Sequence, residues 1–212
     1  MSKLRVASAA LISLIAAGCG TEGRITDNGI IVNRSACPAV AIPAATGDVT
    51  LFDPEGSRDA TAIDVVANVT NLRATCDESG DNIVSNVSFD VQARRRDPRG
   101  ARDVVLPYFA TVVQGGTNIV SKSVGRVGVH FADGQLRAAT SGSASSAVHR
   151  SAVTLPEDIR RQVTRERKPG DADAAVDPLS DPKVRDAVRA ASFEILVGFQ
   201  LSQAQLSYNA TR

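Results

Sequence analysis

Few residues in this chain are equipped to do chemistry: three cysteines, two histidines, one acidic turn and one arginine run. His130 and His149 have no HExxH motif, Cys/His cluster or acidic loop of calcium-binding spacing around them, so neither is expected to hold a metal. Serine and aspartate are abundant, but no GxSxG nucleophile elbow supports a Ser–His–Asp triad. Asp77, Glu78 and Asp81 are candidates for acid–base work or for Ca²⁺, yet a hairpin turn calls for the same residue types. Arg94, Arg95, Arg96, Arg99 and Arg102 put five guanidinium groups around one turn, and guanidinium makes forked hydrogen bonds to phosphate and carboxylate. Arg94, Arg95, Arg96 and Arg99 are therefore candidate anion contacts, weighed against a solvated hairpin tip partly neutralised by Asp97 and Asp103. With 4% aromatics and no Trp, nothing interleaves with the arginines to stack bases, which argues against nucleic acid. The chain reads as non-enzymatic, with no cofactor and no metal.

The cysteines divide by position. Lys3 and Arg5 precede an apolar stretch from Val6 to Ala17, too short to span a bilayer of ~30 Å as a helix. Ala16-Ala17-Gly18-Cys19 follows and resembles the bacterial lipobox, with Ala where Leu is usual. That resemblance implies cleavage after residue 18, acylation of Cys19 (palmitate among the acyl chains) and an anchor in the membrane. Gly20 after the cysteine, by resemblance to sorted lipoproteins, favours the outer membrane, facing the periplasm. Loss of Lys3 and Arg5 leaves 22 basic against 23 acidic residues, so no global charge draws the mature chain to a polyanion. Cys37 and Cys76 remain in an oxidising compartment and read as one disulfide, with a buried unpaired couple as the alternative.

These residues need a frame. Residues 19–35 read as a short lipidated tether and 36–212 as a single β-sandwich domain, mainly antiparallel and immunoglobulin-like. Ile63, Val65, Ala67 and Val69 alternate with polar residues; the phase then flips to Leu72, Ala74 and Cys76, which predicts a bulge near Thr70 or Asn71. Val87, Phe89, Val91 and Ala93 alternate in a second strand, paired with the first as a hairpin. Further strands are expected from Val104 to Gln114, from Ile119 to Phe131 after a Gly115-Gly116 turn, and from Ala147 to Leu155. Residues 156–191 read as a helical and linker excursion, with Asp181 capping its second helix. Phe193 to Leu201 is the most apolar strand and is expected at the centre of a sheet; Ser202-Gln203-Ala204-Gln205 opens a short C-terminal helix as a capping box.

Val104 to Gln114 is apolar on both faces, and Pro107 within it argues for an edge position or a bulge. Such an edge is an aggregation liability unless it is covered, by the excursion or the tether, or docks a partner. Val105, Pro107, Phe109 and Val113 are the candidate docking residues.

Cys37-Pro38, Cys76, Leu106-Pro107-Tyr108-Phe109 with Thr111-Val112-Val113, and Val197-Gly198-Phe199-Gln200-Leu201 with Leu206, Tyr208 and Asn209 form an ordered set. Together they resemble a group of small alphaproteobacterial envelope lipoproteins, over roughly Ala36 to Val129 and Phe193 to Asn209; the excursion lies outside the match. The resemblance implies an exported β-sandwich and supplies no catalytic residues. The expected function is accordingly that of an accessory or adaptor in an envelope assembly, in contact with the membrane through its lipid and with an unidentified envelope protein. The alternative is an anionic glycan- or lipid-binding module that uses the arginine turn.

Overall fold

The computed structural model describes residues 23–26, 29–32, 35–165, 167, 170–174 and 176–211; the signal segment and Cys19 lie outside them. Within the expected tether, β1 (Gly23–Thr26) and β2 (Gly29–Val32) pair antiparallel. The body is built from β3 (Ala39–Ala41), β4 (Asp48–Phe52), β5 (Ile63–Asp77), β6 (Asn82–Arg95), β7 (Arg102–Gln114), β8 (Asn118–Phe131), β9 (Arg137–His149) and β10 (Phe193–Phe199). They form two four-stranded sheets, ordered β3-β10-β7-β8 and β4-β5-β6-β9. One core cluster draws on both, with Val65, Phe89 and Val91 from one sheet and Leu106, Val129, Ile195 and Val197 from the other. The pairing is antiparallel except that β3 runs parallel to β10, so that sheet is mixed rather than purely antiparallel.

The expected bulge is present: the β5–β6 register shifts between Thr70 and Arg73, and Asn71 takes a left-handed φ of 53°. Asparagine tolerates that region better than most side-chain-bearing residues. At the Gly115-Gly116 turn both residues have positive φ, 63° and 78°, which glycine adopts without steric cost.

Two expectations are corrected. The strand 104–114 is not an edge: β7 lies between β10 and β8. Pro107 is tolerated there because the β10 ladder ends one residue away, at Phe199↔Tyr108, where the Pro107 carbonyl accepts from Gln200 N. The missing N–H faces that ladder end, and the bulge falls elsewhere, between Val112 and Val113. The strand expected at 147–155 ends at His149, so only its first three residues belong to it. The chain leaves the sheet at His149 and turns helically, α1 (Arg150–Val153), and the strand is the preceding Ser/Ala/Gly run, β9. Its inward positions are small because an aromatic ring fills their space: a Cβ on Gly142 would lie 2.4 Å from Phe89 Cζ.

The opposite sheet repeats the device. A Cβ on Gly125 of β8 would lie 2.4 Å from Tyr108 Cζ, so the Tyr108 ring lies across that glycine. Phe89 and Tyr108 then meet edge to face, centroids 5.0 Å apart, and Tyr108 Oη donates to Ser143 O on β9 at 2.6 Å. An aromatic over an edge-strand glycine thus fixes each sheet, and the two rings join the sheets.

Between β9 and β10 come α2 (Glu157–Thr164) and α3 (Pro182–Ala190). Asp181 caps α3 by accepting from Lys183 N, and Lys183 Nζ reaches Asp158 of α2 at 3.0 Å. Ile159 and Val184 are buried on the facing stripes. After β10, α4 (Gln203–Thr211) packs on β4, where Tyr208 meets Phe52 edge to face at 5.2 Å. Cys37, entering β3, is disulfide-bonded to Cys76, near the end of β5, with Cα atoms 6.0 Å apart. The bond staples the two sheets at the end where the N-terminal segment enters and closes a loop whose restriction is worth ~4 kcal/mol in the chain-entropy model.

Gly142→Val is expected to destabilise the fold by about 1–3 kcal/mol through overpacking against Phe89. Ala139→Val, on the exposed face of the same strand, should be neutral within about 0.5 kcal/mol; denaturant midpoints of the two variants check this contrast.

Candidate functional site

Two surfaces carry most of the residues singled out by the sequence. The first is the arginine turn. β6 keeps its inward phase through Phe89, Val91, Ala93 and Arg95, so Arg95 points into the protein and is 2% exposed. It is therefore not an anion contact. Its Nε donates to Gln135 O at 2.8 Å, one terminal nitrogen to Gly100 O at 2.7 Å, and the other to Pro98 O and Ala132 O at 2.5 and 3.0 Å. The guanidinium lies over Phe131, with Cζ 5.3 Å from the ring centroid. The four carbonyls come from the two turns that carry the chain between sheets, β6 to β7 and β8 to β9. Gly134 N to Pro98 O and Gly100 N to Asp133 Oδ1 tie the same turns together.

The other guanidinium groups are divided. Arg99 is taken up by Asp97, through both carboxylate oxygens, and Arg102 makes a forked pair with Asp64. These contacts hold the Asp97 carboxyl well below the usual range, mainly through the Arg99 side chain and backbone N–H, and raise both arginines. Arg96 lines a cleft of about 430 Å³ shared with Arg99 but also with Asp53, Asp64 and Asp97, where the acids offset the bases. Arg94 remains exposed on the outer face, directly across from Arg137 of β9 in the register. Side-by-side like charges on paired strands are unfavourable, which makes these two the pair open to an external anion. Arg137 carries no signal of this in the sequence, because the pairing depends on a register across two strands.

The second surface is the outer face of β7 and β8. Val105 is 59% exposed, Pro107 is exposed and Phe109 is half-buried, whereas Val113 is buried at 5% because the Val112/Val113 bulge changes its setting. Of the four candidate docking residues, the structure therefore presents the first three and withdraws the last. Phe109 faces Val124 of β8, itself 59% exposed, and Lys122 Nζ sits 5.3 Å from the Phe109 ring centroid. Arg126 faces Pro107. The result is an apolar strip on β7 bordered by cations on β8, and β8 is an edge strand whose Ile119 and Val120 are 64% and 53% exposed. Neither α2 nor α3 covers Val105 or Val124.

The remaining candidates share no surface: His149 ends β9 beside the acidic turn, whereas His130 lies on β8 next to the arginine turn, at the opposite end. His130 Nδ1 lies 2.7 Å from Asp103 Oδ1, and His149 Nδ1 lies 2.8 Å from Ser151 Oγ. Among the described residues no serine hydroxyl bonds the first and no carboxylate bonds the second, so neither assembles a triad. In the acidic turn Asp77 accepts from Ser79 N, which lowers its pKa, and Glu78 accepts from Ser35 Oγ. Glu78 Oε1 also lies 3.0 Å from Cys37 Sγ. That carboxylate and the two sulfurs form a close cluster, but sulfurs bonded to each other offer no thiolate to a metal.

Compared with family models, with curated proteins and with solved structures, the chain matches none. No helix among the described residues is long and apolar enough to cross a membrane.

Two outcomes follow from these contacts. Arg95→Met leaves four carbonyls without their donor and is expected to cost about 3 kcal/mol or more, against less than about 0.5 kcal/mol for exposed Arg94→Met, measured by chemical denaturation. Asp90, on the outer face of β6, has its pKa lowered by Asn71 first, then by Ser141 and Arg73. A depressed folded-state pKa contributes stability above the ordinary carboxylate range and loses it as pH falls through the folded value. Asp90→Asn should therefore lower the thermal midpoint at pH 7, and the gap to the parent should close as pH falls below about 4.

Proposed function

We propose that this chain is a non-enzymatic lipoprotein of the bacterial envelope, anchored at Cys19 to the outer membrane facing the periplasm, and an accessory or adaptor that holds a partner protein. Its body, on this reading, is an immunoglobulin-like sandwich in which the first strand joins the last in parallel. The anchor is supported by the apolar leader and the lipobox-like Ala16-Ala17-Gly18-Cys19. The docking role rests chiefly on one observation: Val105 and Val124 stand more than half exposed on paired strands beside Phe109, with none of the described residues laid over them. Lys122 and Arg126 border the strip, and the partner surface that complements it is apolar with acidic residues at its margin. The open edge of β8 alongside offers main-chain hydrogen bonds to an added strand.

A second reading, recognition of an anionic glycan or lipid, draws on Arg94 and Arg137, which face each other with no acid recorded between them among the described residues. Geometry limits it. β6 runs from the acidic turn, where the N-terminal segment and the disulfide sit, to the arginine turn; fourteen residues at ~3.3 Å each put these ends roughly 45 Å apart. An anion held at Arg94 would belong to material away from the anchoring membrane.

Photocrosslinking in cells from positions 105 and 124 of the full-length protein, with Cys19→Ala beside it, tests the adaptor reading. One envelope protein should be captured stoichiometrically, and Val105→Asp with Val124→Asp should abolish capture while shifting the thermal midpoint by less than about 3 °C. Recovery of lipid or glycan and no protein would sink the adaptor reading in favour of the second, with Arg94→Ala then expected to release the retained ligand.

A further inference from the structure

The Cys37–Cys76 bond joins the two sheets near the surface: Cys76 is exposed and Cys37 half-buried. A carboxylate stands against it. Glu78 Oε1 lies 3.0 Å from Cys37 Sγ, and a Glu78 carboxylate oxygen is within 4.8 Å of both sulfurs. A disulfide sulfur carries no hydrogen, so this contact sets a negative oxygen on sulfur and is not a hydrogen bond.

Glu78 is held there from two sides. Ser35 Oγ donates to Glu78 Oε1 at 2.9 Å and accepts from Cys37 N at 3.1 Å, so one hydroxyl ties the carboxylate to the backbone of the cysteine it faces. From β9, Arg150 donates to Glu78 O and, through Nε at 2.9 Å, to Gly80 O, which fixes the turn that carries Glu78. Asp77 turns its own carboxylate to Ser79 N. Of the acids in this turn, Glu78 is the one set against the bond.

A disulfide opens when a thiolate attacks one sulfur and expels the other as a thiolate, and negative charge gathers on the two outer sulfurs of the three in line. Attack at Cys76 makes Cys37 the leaving thiolate; attack at Cys37 makes Cys76 the leaving thiolate. In either direction the charge forms within 4.8 Å of the Glu78 carboxylate. A unit charge at that distance in a water-exposed site alters a rate by about three- to tenfold.

We propose that Glu78 is an electrostatic guard on the Cys37–Cys76 bond and slows its opening by small thiol and dithiol reductants. In the complete exchange two reductant thiols become one disulfide, and the two electrons and two protons they give up leave Cys37 and Cys76 as thiols. The bond is thus kept closed by a charge where burial does not shelter it. The guard is independent of the β7–β8 docking face and stands or falls without it.

The test is the initial rate of mixed-disulfide formation on the purified full chain, read by mass spectrometry after acid quench. The probes are cysteamine, mercaptoethanol and mercaptoethanesulfonate, which carry a positive, a neutral and a negative group, with rates expressed per thiolate. In the parent chain the rate should fall in that order. Glu78→Gln should raise the mercaptoethanol rate by about threefold or more and narrow the spread between the two charged probes. The thermal midpoint of the oxidised variant should not change, since Gln still accepts from Ser35. In about 1 M salt the gap between parent and variant should close. Asp77→Asn, the same charge change one residue away, should alter the rate less than about twofold. A gain below about threefold in Glu78→Gln, or an equal gain in Asp77→Asn, would overturn the proposal. So would one gain common to all three probes, which reports a loosened turn and not a removed charge.

Discussion

One guanidinium group, that of Arg95, holds four backbone carbonyls from two different turns at one end of the molecule. Those turns carry the chain from one sheet to the other and back again, so their separation sets how the sheets face. A lysine has three donors on a point and cannot reach four acceptors spread in a plane; the planar fork of arginine can. No carboxylate takes part in these bonds, and the charge is met by carbonyl dipoles and the Phe131 face instead. The cost of taking a cation out of water is thus offset only while both turns stay in place. Fold and side chain depend on one another.

At the middle of the sandwich the same economy of small parts recurs. Phe89 over Gly142 and Tyr108 over Gly125 let the inner strands cover the edge strands, and the Tyr108 hydroxyl reaches Ser143 on the far sheet. β8 and β9 are both edges, and this bond, reaching from β7 across Gly125 of β8, ties β7 to β9 where no strand ladder does. At the opposite end the Cys37–Cys76 disulfide closes the sheets. The sandwich is therefore held at its two ends by a cation and by a covalent bond, and in between by a ring pair.

Much of this frame could be read from residue order. The alternations of β5 and β6, the phase flip that became the Asn71 bulge, the two-glycine turn and the cysteine pair are local signals, and each sits where its spacing put it. The failures share a cause. β9 has no apolar alternation because the volume opposite its small residues belongs to Phe89, a residue on another strand. Pro107 argued for an edge, but what decided its place was where β10 stopped. Arg95 was in phase with Phe89, Val91 and Ala93, and its residue type concealed that phase. At the candidate sites, Phe109 and Val105 were legible as apolar residues with no assigned core role. Val124 and Arg137 were not, since Val124 matters only through its register with Phe109 across the hairpin, and Arg137 only through register with a strand distant in sequence.

The parallel pairing of β3 with β10 sets an order of events. Residues 39–41 emerge about 150 residues before their partner, residues 194–196. β7 likewise waits for β10 on one side, and Asn209 closes on Ala45 and Asp48 only after β10 has emerged. For a polypeptide made from its N-terminus, one sheet stays unfinished until β10 appears, while β5, β6, β7 and β8 can already pair as neighbours. Long-range closure of this kind slows folding. The sandwich is completed only by the arrival of β10, however early the hairpins before it have formed.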